Sequence, residues 1–113
     1  MPRRLIPAEP AAVAEGLEDR VANARLLVKH YLALLQVKAP GNSVEVRVPP
    51  YAAVQVVPGV RHTRGTPPAV VETDPSTWIA LALGELSWSD AVAQARVTAS
   101  GERTDLSPYL PLA

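Results

Sequence analysis

One hundred and thirteen residues make about one domain's length of chain. There is no cysteine, which excludes disulfides, thiolate nucleophiles and cysteine-based zinc sites. Eleven basic residues balance eleven acidic ones, and a net charge of zero argues against a nucleic-acid binder that works by neutralising phosphates.

At 48% apolar and 19% charged the composition is globular, mostly Ala, Val and Leu with no Phe. Residues 1–65 carry nine cations and five anions (+4), and residues 66–113 carry two and six (−4). That asymmetry is read as two ordinarily solvated surfaces, with orientation of a partner as the alternative. No apolar run reaches the length of a membrane span, so stable membrane insertion is not expected. MPRRLIPAEP lacks an apolar core of signal-peptide length, so the expected compartment is the cytoplasm.

Residues 1–10, with Pro2, Pro7 and Pro10, read as a flexible lead-in, and 11–113 as a single domain. From Ala11 to about Val37, Val13, Leu17, Val21, Ala24, Val28, Tyr31 and Leu35 recur at steps of three and four. That spacing predicts one long amphipathic helix, weakest at Gly16. The period then changes to two. Val44, Val46 and Val48 alternate with Glu45 and Arg47, a half-buried strand over 43–48. Pro49-Pro50 predicts a kinked link. Residues 51–57, YAAVQVV, follow as an antiparallel partner, apolar enough on both faces to be an interior strand.

Residues 58–68, PGVRHTRGTPP, read as the longest irregular stretch. Residues 69–73 give a third strand. Asp74-Pro75 predicts a helix start, and Gly84 its stop. The helix between, with Trp78, Ile79, Leu81 and Leu83, has almost no polar face and needs cover on most sides. Ser87 and Asp90 open a second short helix to about Ala95. A fourth strand occupies 96–99, and the apolar tail from Leu106 to Leu112 is expected to dock across a groove. Strands grouped apart from helices predict an α+β fold.

Candidate chemistry is sparse. His30 and His62 are far apart in sequence, and no metal-ligand cluster accompanies either. Ser43, His62 and Asp74 form a trio without a nucleophile elbow, so it carries little weight. Arg61, His62 and Arg64 share one loop with two threonines. They read first as a solvated turn pairing with Glu72 or Asp74, and second as a grip for a carboxylate or phosphate. Trp78 and Trp88 read either as core fillers or as walls of an apolar cavity.

Residues 43–57 (SVEVRVPPYAAVQVV), 62–75 (HTRGTPPAVVETDP) and 76–112 (STWIALALGELSWSDAVAQARVTASGERTDLSPYLPL) resemble the sterol carrier protein superfamily, in particular a compact bacterial, mainly actinobacterial, branch. The likeness is strongest in the acid-started helix, the Gly-x-Leu-Ser-Trp turn, the second short helix and the strand into Ser-Gly-Glu. It is loose over the first helix. It implies a sheet of about five largely antiparallel strands covered on one face by helices. It also implies an apolar tunnel for a sterol, fatty acid or acyl chain, and no covalent chemistry, cofactor or metal. In such a fold the cavity residues would be Val54, Val56, Trp78, Ile79, Leu83 and Leu110. Arg61, His62 and Arg64 would meet a polar head group. The expected function is therefore a non-enzymatic lipid-binding or carrier protein, monomeric or dimeric. The alternative is a filled-core interaction or dimerisation module that docks an enzyme.

Overall fold

The computed structural model describes residues 4–59, 69–102 and 104–113. It is an α+β fold with a four-stranded mixed sheet. The chain runs α1 (Pro10–Glu18), α2 (Ala24–Lys38), β1 (Val44–Val48), β2 (Ala52–Val56), β3 (Ala69–Thr73), α3 (Pro75–Leu83), α4 (Trp88–Ala93) and β4 (Val97–Ser100). A short 3-10 turn, Ser107–Tyr109, precedes the final residues.

The predicted long helix is two helices. The break falls at 19–23 rather than at Gly16. Asp19 Oδ1 accepts the N–H of Ala22, and the Asn23 side-chain amide donates to the Asp19 carbonyl oxygen. Asp and Asn offer the backbone these local partners in place of helical ones, and a hydrophobic stripe gives no sign of it. Val21, placed on the buried stripe by its spacing, is consequently 91% exposed. Gly16 is instead buried, and a Cβ there would meet Leu27 Cδ2 at 3.3 Å, so it serves the close approach of α1 to α2.

The sheet order is β2-β1-β3-β4, with β1 antiparallel to β2, parallel to β3, and β3 antiparallel to β4. Two expectations change here. The strand over 51–57 is an edge strand, not an interior one, because β3 takes the other side of β1. The sheet has four strands among the described residues. The fifth strand implied by the resemblance does not form at 104–106, and residues 60–68 lie outside the described residues. Between β1 and β2 the expected kinked link is a close turn, with the Tyr51 N–H donating to the Val48 carbonyl oxygen and a cis Pro49–Pro50 bond.

The two-residue alternation resolves as read. Val44, Val46 and Val48 are buried, and across the ladder Val46 faces Val54 and Val71. Arg47, Ala53, Gln55 and Glu72 point from the other, exposed face. Glu45 and Arg47 pair on that face. The inner face meets Leu27, Val28, Tyr31, Leu32 and Leu35 of α2 in one apolar cluster. Each Val or Leu so buried contributes about 1.5–3 kcal/mol before conformational entropy is set against it.

The caps of α3 form as predicted. The Asp74 side chain accepts the Thr77 N–H at 3.1 Å, Pro75 occupies the first turn, and Gly84 closes the helix at φ 79°. Burial raises the Asp74 pKa, but hydrogen bonds from Thr77 and Ser76 outweigh it and hold the carboxyl below its ordinary value. Asp74→Ala is expected to cost about 1–2 kcal/mol in urea unfolding at neutral pH. The depressed pKa means that this contribution is present above the ordinary carboxylate pKa and lost as pH falls through the folded value. The difference between wild type and variant should therefore shrink in acid.

The N-terminal segment runs along α2. Leu5 donates to Gln36 Oε1, and Ala8 donates to His30 Nδ1 at 2.9 Å. Accepting that bond requires a neutral ring, and burial lowers the His30 pKa from 6.5. Folding favours the uncharged imidazole, so its contribution is fully present above pH 6.5. It is lost as pH falls from there, because the unfolded chain takes the proton first. Urea midpoints should fall across that window in wild type, and His30→Gln should flatten this part of the profile.

Candidate functional site

The tail anchors the end of α3, as the apolar run 106–112 suggested. Leu106 is fully buried, and the N–H groups of Leu112 and Ala113 both donate to the Ala82 carbonyl oxygen. Lys38 Nζ reaches the Pro111 carbonyl oxygen at 3.2 Å. Helix α3 is thereby covered by α2 on one side and the tail on another. This satisfies a helix with almost no polar face.

Two clefts open along α3. The first, about 340 Å³, lies at its N-terminal end. Its walls are Tyr51 from the β1–β2 turn, Val21 and Ala24 around the start of α2, and Pro75, Ser76 and Ile79 of α3. Arg20 and Asp74 stand at its rim, but both are engaged. Arg20 donates twice to the Glu85 carboxylate, at 2.7 and 2.6 Å, and Asp74 caps α3. The Arg20 hydrogen bond holds the Glu85 carboxyl below its ordinary pKa. The second cleft, about 280 Å³, lies at the C-terminal end of α3 between Leu81, Leu86, Trp88 and Leu110.

The six cavity residues are thus spread across one interface. Val54 and Val56 lie on the inner face of β2 and, with Trp78 and Ile79, belong to the buried cluster. Ile79 also reaches the first cleft and Leu110 the second. Leu83 packs at the edge of the cluster. Arg61, His62 and Arg64 lie outside the described residues. The trio of Ser43, His62 and Asp74 gains no support, since the Ser43 hydroxyl donates to the Val57 carbonyl oxygen and Asp74 is spent on a cap. No cluster of metal-ligating side chains occurs among the described residues.

Sequence reasoning missed Tyr51, Ala24 and Ser76 as cleft walls. They come from three separate elements, and nothing in the spacing of any one of them signals the meeting.

These features define a small two-layer α+β domain, with helices enclosing an apolar interior against one sheet face and a cleft at each end of one helix. The sequence matches the family described as bacterial SCP ortholog over residues 19–112, and the chain belongs to this bacterial sterol carrier protein-like family. The match begins at the end of α1, in keeping with the loose likeness of the first helix. No curated protein matches the chain. No helix among the described residues is long and apolar enough to cross a membrane.

Proposed function

We propose that this protein binds an apolar small molecule, a fatty acid, sterol or acyl chain, between the sheet and α3, and acts as a non-enzymatic lipid carrier in the cytoplasm. The observation that carries the reading is the Ile79 cleft. It opens to solvent between the start of α2, the β1–β2 turn and α3, with Ile79 on its wall, and its volume falls within the range of small-molecule sites. Membership of a sterol carrier protein-like family supports it. Burial of the ligand's apolar surface, at about 25 cal/mol per Å², would drive binding.

A second reading, an interaction or dimerisation module, is favoured by a different observation. Val21 and Ile6 are 91% and 85% exposed, large apolar groups with no cover in this chain. Light scattering that shows a dimer dispersed by Val21→Glu would support that module.

The carrier reading is tested by titrating dodecanoate into the protein while following tryptophan emission and native mass spectra. Ser76→Phe places a ring in the cleft from an exposed position and is expected to weaken binding about tenfold with the fold intact. Equal binding by Ser76→Phe would remove this cleft as the route. Unmoved emission with no lipid adduct, for dodecanoate and for uncharged apolar ligands alike, would reject the carrier itself.

A further inference from the structure

Among the described residues, one buried side-chain polar atom has no hydrogen-bond partner: the indole nitrogen of Trp78. The side chain is 1% exposed, so bulk water does not serve it. Buried donors are almost always satisfied in native proteins, and an orphan asks for an explanation by a bound group or a trapped water. The nearest polar side chains in sequence bond elsewhere and do not accept from it. Thr77 Oγ1 donates to Asp74 Oδ1 and accepts from Arg96 Nε. Thr73 Oγ1 donates to the Arg96 carbonyl oxygen. The rest of the buried set among the described residues is apolar apart from the Tyr31 phenol.

We infer that the Trp78 indole N–H is the donor for an uncharged oxygen on the bound ligand, so that the site takes an ester, ketone or alcohol of an apolar chain or ring in preference to a bare hydrocarbon or a carboxylate. This rests on the carrier reading. Charge makes the choice between oxygens. The buried polar and charged residues among those described are Thr73 and Thr77, with no cation. A carboxylate brought beside Trp78 would lose its water and gain one neutral donor, a poor exchange. A carbonyl or hydroxyl oxygen is satisfied by that single N–H. The donor also fixes polarity: the oxygen end goes to Trp78, and the hydrocarbon remainder goes to apolar members of the same cluster, which include Val54, Val56 and Ile79.

The test compares methyl dodecanoate, potassium dodecanoate and pentadecane, near neutral pH, on wild type and Trp78→Phe. Phenylalanine keeps an apolar ring and deletes the donor. In wild type the ester is expected to bind about five- to tenfold more tightly than the alkane. Dodecanoate gains no such advantage, and in Trp78→Phe the ester-to-alkane ratio falls close to one. Proton–nitrogen spectra of wild type provide a second readout that needs no variant at this position. The Trp78 indole signal, told from that of Trp88 by Trp88→Phe, should move with the ester and stay with the alkane. Equal binding of ester and alkane overturns the inference and leaves the carrier reading standing; a trapped water on the N–H would give this result. A preference for dodecanoate overturns the uncharged class. A preference that survives in Trp78→Phe assigns the oxygen to another donor. Failure of all three to bind overturns the inference and the carrier reading together.

Discussion

Gly41→Ala is expected to lower the unfolding free energy by about 3 kcal/mol, read from urea midpoints at constant slope. Gly41 sits at φ 151°, a conformation that side chains disfavour, and an added Cβ would lie 2.2 Å from the Val57 carbonyl oxygen. Neither side can easily retreat. The Val57 N–H donates to the Ala39 carbonyl oxygen at 2.7 Å, and Ser43 donates to the Val57 carbonyl oxygen from its backbone and its hydroxyl. Val57 itself is held at φ 71°, rare for a β-branched residue, and such a conformation persists only where its surroundings over-determine it. The clamp joins the end of α2 to the end of β2, so its failure loosens the helical layer from the edge of the sheet. A loss below about 1 kcal/mol would mean that the two segments slide apart at little cost.

Trp78→Ala is expected to cost about 3–5 kcal/mol, the range for removing a large buried aromatic from a core that relaxes only in part. Trp78 is the largest of the fully buried side chains and stands beside Ile79 and Leu81, which reach the two clefts. Trp78→Phe should cost much less, about 1–2 kcal/mol. It removes part of a ring and an N–H that has no acceptor in the chain to lose. Thermal and urea unfolding of the two variants side by side check this. Equal losses would show that the indole nitrogen holds a protein partner.

Much of the fold is legible because its signals are local. Val44, Val46 and Val48 announce a strand by their alternation, and Asp74-Pro75 and Gly84 bound α3 from both ends. The division of the first helix is hidden because the apolar stripe continues across it. What stops the helix is the local bonding of Asp19 and Asn23, two polar residues that look like a solvated face. The edge position of β2 is hidden for another reason. Whether β3 joins β1 or β2 depends on the crossover between them, and no residue within a strand records that choice. Both faces of residues 51–57 look apolar because Ala53 is small, yet it lies on the exposed side.

The candidate site was readable as a list and not as an arrangement. Val54, Val56, Trp78 and Ile79 follow from burial patterns, and the structure gathers them into one cluster. The walls that turn Ile79 into the side of a cleft, Tyr51 and Ala24, come from chain segments brought together only by folding. The unpartnered indole N–H belongs to the same category. A sequence shows that a tryptophan carries a donor, while the acceptors around it are set by packing.

The most direct measurement is a set of contacts between a bound alkyl chain and carbon-13-labelled methyl groups, read as intermolecular NOEs on the protein saturated with methyl dodecanoate. NOEs are expected from the chain to Val54, Val56 and Ile79. Methyl spectra unchanged at saturating ligand, or NOEs confined to exposed groups such as Val21 and Val92, would contradict it.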